Sequence, residues 1–217
     1  MNAAERRAAI LDQIARGARN AQRKATDVTL IAVSKTRSVA QIEGLIAAGQ
    51  RDFGESRVQE AQDKWPDLQA RFPDVRLHMI GRLQSNKADD AVLLFDAIHS
   101  LDRASLLDAL VAAAGKAGRA PDCFVQVNVG EEDQKGGVTI AALSDLLERV
   151  RATILPLTGL MAIPPVGPQP GPYFALLAKL AKHHALAGLS MGMSADFETA
   201  VMLGATHVRV GTALFED

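Results

Sequence analysis

Short apolar runs rich in β-branched residues alternate along the chain with stretches that have helical periodicity. This alternation predicts βα units and a parallel sheet. The predicted strands are Thr29–Ser34, Arg51–Phe53, Arg76–Ile80, Asp96–His99, Cys123–Val127, Leu155–Leu160, Leu186–Leu189 and Thr206–Val210. Eight parallel strands can close into a barrel, although periodicity alone leaves an open doubly wound sheet as the alternative.

Helical periodicity fills the intervals between these strands. The predicted helices are Val39–Ala48, Arg57–Ala70, Asp89–Leu94, Arg103–Ala117, Ile140–Arg151, Pro172–His184 and Ala195–Leu203. A further amphipathic helix is expected before the first strand, where Ala8, Leu11 and Ile14 recur at helical spacing. The predicted fold class is therefore α/β, a single (β/α)8 TIM-type barrel with an extra N-terminal helix, forming one domain over residues 1–217.

Composition excludes several classes of function. The 217 residues carry 24 Lys and Arg against 25 Asp and Glu, so no strong field attracts nucleic acid or an anionic membrane. Neither a bilayer-spanning apolar stretch nor a signal-peptide core is visible, which predicts a cytoplasmic protein. Cys123 is the single cysteine and lies in an apolar run, so we expect a buried, unreactive thiol.

The first predicted strand runs into a lysine. By the two-residue alternation of a strand, Ile31, Val33 and Lys35 share one face. If that face lines the barrel, the amine enters a poorly solvated mouth, where the uncharged form needed to attack a carbonyl carbon is favoured. The alternative is that Lys35 only marks the end of the strand and reaches into solvent, and this segment alone favours that alternative.

The loops after the seventh and eighth strands of such barrels often bind phosphate. Ser194 is predicted to cap a helix that begins near Ala195, which would direct a hydroxyl and free amides at an anion. Gly211 allows a phosphate to approach the backbone, and Thr212 adds a hydroxyl and an amide. Each feature alone is explained by an ordinary cap or loop, but their joint occurrence at both expected positions favours phosphate binding.

Isolated polar residues within the strands need partners. Arg209 interrupts an apolar strand and therefore requires an acceptor, either a carboxylate or an atom of a ligand. His78 is expected to be a hydrogen-bonded core histidine, and Lys87 an exposed lysine. The spacing of the five histidines matches no metal-ligand pattern, so neither a metal site nor a catalytic residue is predicted.

Six segments form a set that is specific only as a whole. In chain order they are Ala32-Val33-Ser34-Lys35-Thr36, Phe53-Gly54-Glu55, His78-Met79-Ile80-Gly81-Arg82-Leu83-Gln84-Ser85-Asn86-Lys87, Gly159-Leu160-Met161-Ala162-Ile163-Pro164, Leu189-Ser190-Met191-Gly192-Met193-Ser194 and Val208-Arg209-Val210-Gly211-Thr212. Together they resemble the pyridoxal phosphate homeostasis protein family, which is related to the N-terminal barrel domain of alanine racemase. The resemblance runs from about Val28 to Phe215.

The resemblance implies a fold of the alanine racemase type (fold type III) and pyridoxal 5′-phosphate (PLP) as cofactor. It implies that PLP is held as an internal aldimine on Lys35, with its phosphate bound by Ser194, Gly211 and Thr212. It also implies that Arg209 faces the pyridine nitrogen.

Two positions depart from the family pattern. Ser56 stands where the family usually has asparagine. The resemblance makes this position a further candidate for contact with the cofactor, although the side chain differs from the family's. Leu77 replaces a residue that is commonly aromatic, and we expect this change to affect packing alone.

A carrier is favoured over an enzyme. Racemisation needs two bases, and in barrel-type racemases the second is a tyrosine from an additional C-terminal domain. The sequence ends five residues after Thr212, and its single tyrosine, Tyr173, is expected at the start of a helix. Arg209, which stays protonated, would leave the pyridine nitrogen unprotonated and the ring a poor electron sink.

The sequence thus predicts a monomeric protein that buffers PLP and delivers it to apoenzymes through transient contacts, without robust turnover. A weak PLP-dependent amino-acid racemase or lyase remains an alternative. A class I aldolase-like barrel that forms a Schiff base with a sugar phosphate is another.

Overall fold

Eight parallel strands form a closed barrel in which each strand pairs with the next in sequence and the last pairs with the first. The computed structural model describes residues 1–132, 134–167 and 169–215. The strands are β1 (Thr29–Val33), β2 (Asp52–Glu55), β3 (Arg76–Met79), β4 (Ala97–Leu101), β5 (Asp122–Gln126), β6 (Leu157–Met161), β7 (Gly188–Met193) and β8 (His207–Val210). The predicted barrel is therefore confirmed, and the open-sheet alternative is wrong.

Helices precede the barrel and separate its strands. They are α1 (Ala3–Asn20), α2 (Val39–Ala47), α3 (Val58–Arg71), α4 (Ala88–Leu94), α5 (Ala104–Ala117), α6 (Leu143–Arg151), α7 (Gly171–His183), α8 (Phe197–Met202) and α9 (Thr212–Phe215). Short 3-10 helices occupy Ala25–Asp27 and Ser85–Lys87. Within the described ranges, none of these helices combines the length and apolar character needed to cross a bilayer.

Local capping explains where the first two helices begin. Asn2 and Glu5 form a reciprocal capping box at the start of α1, and Ser38 and Gln41 form another at the start of α2. The predicted N-terminal helix is confirmed as α1, which buries Ile10 and packs against α8 and α9. The first helix therefore covers the outside of the barrel where its last strands lie.

Alternation along the strands separates two environments. Leu30 and Ala32 of β1 face outward into the apolar cluster formed with the helices. Ile31 pairs in register with Arg209 of β8, on the opposite face. That face is the barrel interior, because polar contacts made from it join strands that are not neighbours in the sheet.

The seventh strand differs most from its predicted bounds. The apolar run predicts Leu186–Leu189, whereas β7 spans Gly188–Met193. A shift in register between Ser190 and Met193 keeps the chain paired with β8 through serine and glycine residues that resemble a loop. Gly192 adopts φ +93°, which supports this irregular path.

Candidate functional site

The loops after β1, β7 and β8 meet at the carboxyl end of the barrel. β1 and β8 are neighbours, with Ala32 in register with Val210. A Cβ added to Gly211 would lie 3.4 Å from Cβ of Val33, so the loop after β8 contacts the end of β1. The Gly211 amide also donates a hydrogen bond to Oγ of Ser194, at 3.4 Å. The two loops predicted to bind phosphate are therefore joined to each other and adjacent to the strand that leads to the lysine.

Lys35 lies in an exposed turn. β1 ends at Val33, and the chain turns at Lys35 and Thr36, where Thr36 adopts φ +61°. The prediction of a poorly solvated amine is therefore wrong for this structure. The reason is that the turn interrupts the alternation before it can carry the lysine into the interior.

Helix α3 holds this turn from outside the barrel. The Thr36 amide donates to Oε1 of Glu60, and Nζ of Lys64 donates to the Ser34 carbonyl at 3.1 Å. Lys64 forms ion pairs with Glu60 and with the buried carboxylate of Glu55, both at 2.8 Å. Thus the backbone on either side of Lys35 is tied to one helix.

The electrostatics of this clamp favour a charged Glu60. Burial raises the pKa of Glu60, but hydrogen bonds from Lys64 and from the Thr36 amide outweigh it and hold the pKa below its ordinary value. This clamp was not predicted from the sequence. The four-residue spacing of Glu60 and Lys64 on a predicted helix was the available signal.

Ser194 does not cap a helix. α8 begins at Phe197 with Asp196 as its N-cap residue, and Ser194 lies in the preceding turn, so the prediction that Ser194 caps a helix beginning near Ala195 is wrong. The physical reason is that Asp196 shapes this turn, since its carboxylate accepts a hydrogen bond from the Met193 amide at 2.6 Å. The hydroxyl of Ser194 is directed to Gly211 instead.

Thr212 and Ser56 lie on different parts of the mouth. Thr212 is exposed and begins α9, directly after Gly211. Ser56 follows β2 and packs against the loop after β3, because a Cβ on Gly81 would come within 2.2 Å of the Ser56 carbonyl oxygen. Ser56 also lines a cavity of about 290 Å³ together with Arg82 and Lys87. The structure therefore brings Ser194, Gly211 and Thr212 together and places Ser56 after β2, which is two strands from β8 and three from β7.

Arg209 lies inside the barrel beneath the mouth and is only 4% exposed. Its Nη1 donates to Oγ of Ser190 at 2.6 Å, and its Nη2 donates to the Ala162 carbonyl at 3.0 Å. Burial lowers the pKa of Arg209 to about 10, against the opposing charge of Asp196. The guanidinium is therefore charged at neutral pH, and these two acceptors are neutral oxygens rather than the carboxylate that sequence reasoning considered.

Polar side chains continue from Arg209 across the barrel. His78, predicted to be a hydrogen-bonded core histidine, is confirmed as one: its ring nitrogens lie 3.0 Å from Oδ1 of Asp52 and 3.0 Å from Nε2 of His99. Nδ1 of His99 lies 2.8 Å from Oγ of Ser190. Asp52, His99 and Ser190 were not predicted from the sequence as members of this network, because their partners lie on other strands.

Burial keeps His99 and His207 neutral at pH 7. Burial, and then the electrostatic effect of the neighbouring His78, lower the pKa of His99 well below its ordinary value. The same causes lower the pKa of His207 to about 4. Cys123 is buried as predicted, and burial raises the pKa of its thiol to about 12, with Asp122 adding to the effect. The rings of His99 and His207 inside the barrel are thus neutral at pH 7, and the thiol of Cys123, on the outer face of β5, is unreactive.

Comparison with known proteins identifies the family. The family model described as alanine racemase, N-terminal domain, matches residues 10–217. A pyridoxal phosphate homeostasis protein from Synechocystis is 40% identical over 200 residues, which cover 88% of this chain and 91% of the relative. One from Aquifex aeolicus is 39% identical over 227 residues, covering 100% and 99%.

Solved structures agree. PipY of Synechococcus elongatus with PLP bound has a TM-score of 0.87 and 39% identity, covering 99% of this chain and 100% of its own. An alanine racemase of Clostridium difficile has a TM-score of 0.71 at 12% identity, covering 95% of this chain and 57% of its own, which is a likeness of fold alone. The chain described here therefore belongs to the pyridoxal phosphate homeostasis protein family, within the larger group that shares the alanine racemase N-terminal barrel.

Proposed function

We propose that this protein binds PLP covalently through Lys35 and acts in PLP homeostasis, by buffering the cofactor and delivering it to apoenzymes. The observation that carries the proposal is the meeting of three loops at one end of the barrel. The hydrogen bond between Gly211 and Ser194 joins the loops after β7 and β8, and these lie beside the strand that presents the exposed amine of Lys35.

The donor set of this mouth fits the proposed cofactor. Pyridoxal 5′-phosphate supplies an aldehyde that condenses reversibly with a primary amine, with loss of water. Lys35 provides the amine, and the Ser194 hydroxyl with the amides and hydroxyl of Gly211 and Thr212 would hold the phosphate. Arg209 would face the pyridine nitrogen. Ser56, from the loop after β2, is our candidate for a further contact.

The same residues support a carrier rather than a catalyst. A guanidinium has donors and no acceptor, and Arg209 is charged at neutral pH because the pKa is lowered by burial only to about 10. It would therefore leave the pyridine nitrogen unprotonated, which weakens the ring as an electron sink. The exposed position of Lys35, by contrast, would leave the bound PLP accessible to the amines of other proteins, to which it could be transferred with release of the lysine amine.

We also propose that residues 1–217 form a single domain that acts as a monomer in the cytoplasm. The packing of α1 against α8 and α9 supports one domain, since it joins the beginning of the chain to its last helices. Residues 133, 168, 216 and 217 of this proposed domain lie outside the described residues. The cytoplasm is proposed because that is where a cell's own pool of the reactive aldehyde would need buffering.

The central experiment is reconstitution with PLP followed by borohydride reduction, mass measurement and peptide mapping. We expect one reduced pyridoxyl group on the peptide that contains Lys35, and none on that peptide in Lys35→Ala. Lys182→Ala, on the exposed end of α7, is the matched control and should label as wild type does. An equally labelled Lys35→Ala protein would remove Lys35 from the proposal.

Two further measurements separate carrier from enzyme. In the first, the loaded protein or an equal concentration of free PLP is added to a PLP-free aminotransferase, with the same competing amine present in both cases. The loaded protein should activate the aminotransferase faster, because the competing amine traps free PLP. A chiral assay with several amino acids should detect no turnover above that of free PLP. Racemisation or lyase activity that depends on Lys35 would favour the enzyme alternative.

A further inference from the structure

A chain of hydrogen-bonded side chains crosses the barrel interior beneath the mouth, from Arg209 on β8 to Asp52 at the start of β2. We propose that Asp52, His78, His99 and Ser190 position the guanidinium of Arg209 through this chain. In this way the opposite end of the barrel determines how the protein holds the ring of its cofactor. The part of this inference that concerns the cofactor rests on the proposed function.

The hydrogen-bonded side chains form an unbroken series that crosses the barrel interior. Nη1 of Arg209 lies 2.6 Å from Oγ of Ser190, which lies 2.8 Å from Nδ1 of His99. Nε2 of His99 lies 3.0 Å from Nδ1 of His78, whose Nε2 lies 3.0 Å from Oδ1 of Asp52. His99 is on β4 and Ser190 is on β7, which are not neighbours in the barrel, so this contact joins opposite walls.

With both rings neutral, as this inference requires, the two ends of the chain determine the direction of every hydrogen bond within it. A guanidinium only donates, so Oγ of Ser190 accepts from Arg209, and the hydroxyl hydrogen is left for Nδ1 of His99. An ionised carboxylate only accepts, so Nε2 of His78 carries a hydrogen that it donates to Asp52. His99 then donates from Nε2 to Nδ1 of His78. Each ring carries one hydrogen on Nε2, and neither needs to be charged.

Burial makes this arrangement energetically significant. His99 and Ser190 are fully buried and His78 is 1% exposed, whereas the side chain of Asp52 retains 24% exposure. Solvent therefore reaches these five residues mainly at the carboxylate. Loss of any inner acceptor would leave a donor unpaired, next to a buried charge. Burial also lowers the pKa of His99, which keeps Nδ1 available as an acceptor.

The chain constrains one edge of the guanidinium. Ser190 holds Nη1 from the side of the histidines, and the Ala162 carbonyl holds Nη2 at 3.0 Å. With these two bonds made, the orientation of the planar group is determined and its other N–H groups are left to a ligand. A change at Asp52 would then reach the ligand by way of the two rings and the hydroxyl.

The first test needs no cofactor. Nitrogen-15 NMR of the histidine side chains should show His78 and His99 neutral at pH 7, with the hydrogen on Nε2 in each. Asp52→Ala should remove this preference at His78 and produce a mixture of tautomers. Asp122→Ala, which removes a carboxylate paired with exposed Arg76 near the same end of the barrel, is the control and should leave both rings unchanged. A charged ring, or a hydrogen on Nδ1 in either ring, would overturn the directed chain.

The second test follows the cofactor. Ser190→Ala should weaken PLP binding by about tenfold, equivalent to about 1.4 kcal/mol, and should shift the absorbance maximum of the bound cofactor. Asp52→Ala should shift the maximum in the same direction and weaken binding less. Because both residues act through one chain, the double variant should be no weaker than Ser190→Ala alone. Additive effects, or an unchanged maximum in both single variants, would contradict the inference.

The outcomes separate this inference from the proposed function. Wild-type protein that binds no PLP would refute the proposed function, while the NMR result would still decide whether the chain exists. Wild-type protein that binds PLP but shows the wrong histidine tautomers would refute the hydrogen-bond chain and leave the proposed function intact. If Ser190→Ala does not fold, Asp52→Ala decides the question, since its side chain lies at the partly exposed end.

Discussion

The mouth of the barrel and the interior directly beneath it are built by the same strands, yet they hold polar groups in opposite ways. At the mouth, Lys35 and Thr212 are exposed, and the backbone takes unusual turns at Thr36 and Gly192. In the interior, Arg209 is buried and hydrogen-bonded to neutral partners. Under the proposed function, this difference would be a division of labour in which the reacting amine stays accessible, while the charge that orients the cofactor ring is immobilised below it.

The mouth depends on backbone shape, so a methyl group in the wrong place should have the largest effect. In Gly192→Ala the new Cβ would lie 2.6 Å from Cβ of Ala200, at a φ of +93° that L-residues rarely adopt. We expect this variant to lose about 4 kcal/mol of unfolding free energy, from strain and overpacking together. Urea denaturation would measure it.

Gly44→Ala is the matched control for that substitution. Gly44 is exposed within α2 and has nothing within 4 Å of an added Cβ, so alanine should stabilise the helix by about 0.5–1 kcal/mol. Equal losses in the two variants would show that the shape of the β7–α8 loop contributes nothing specific.

The interior should respond to acid. Burial, and then the electrostatic effect of the neighbouring His78, lower the pKa of His207 from 6.5 to about 4, so the unfolded chain binds a proton in this range that the folded chain does not. The free energy of unfolding should therefore fall as pH drops from about 6.5 to about 4, by about 3 kcal/mol. The lowered pKa of His99 acts in the same direction.

Denaturation midpoints across this pH range would measure the loss. His207→Gln should reduce the pH dependence, whereas His183→Gln, at the exposed end of α7, should leave it as in wild type. A stability that rises between pH 6.5 and pH 4 would contradict a neutral histidine interior.

The phosphate loops can be separated from the rest of the mouth by changing the ligand. Ser194→Ala and Thr212→Val should each weaken PLP binding by about tenfold, because each removes a donor to an anion. Pyridoxal lacks the phosphate, so its binding should stay within about twofold of wild type in both variants. Equal losses of affinity for PLP and for pyridoxal would show that these residues do not bind the phosphate.

The smallest effect is expected from the clamp on the lysine turn. Glu60→Gln keeps an oxygen acceptor for the Thr36 amide but removes the charge paired with Lys64, so we expect about 1 kcal/mol lower stability. The attachment of PLP should also slow by a few-fold, as followed by stopped-flow absorbance. Glu43→Gln, which loses an exposed pair with Arg71, should change both quantities little. Equal changes of stability and of attachment rate in the two variants would show that the clamp has no specific influence on Lys35.

Local patterns predicted the fold well because strands and helices follow short-range periodicities. All eight predicted strands and the intervening helices occur in order, and β1 differs from its prediction by one residue. The errors lie where a local signal has two meanings. Serine and glycine after Leu189 indicated a loop, but pairing with β8 kept that segment in the sheet.

The candidate site was only partly predictable. The positions of Gly211 and Thr212 after the eighth strand follow from the general layout of barrels, and the structure brings them to Ser194. The prediction that Ser194 caps a helix was wrong because a nearby aspartate shapes the turn. The prediction that the Lys35 amine is poorly solvated was wrong because the polypeptide turns before it enters the barrel interior.

The sequence by itself determined the order of strands, the class of fold and the family, since each depends on patterns among residues close together in the chain. Tertiary structure alone decided the partners of Arg209, the line of side chains from Ser190 to Asp52, and the clamp on the turn at Lys35. Those contacts join residues distant in sequence, and His99 and Ser190 meet only because closure of the sheet brings β4 to face β7. The periodicity of a single strand does not indicate which residues of other strands its side chains will contact across the barrel interior.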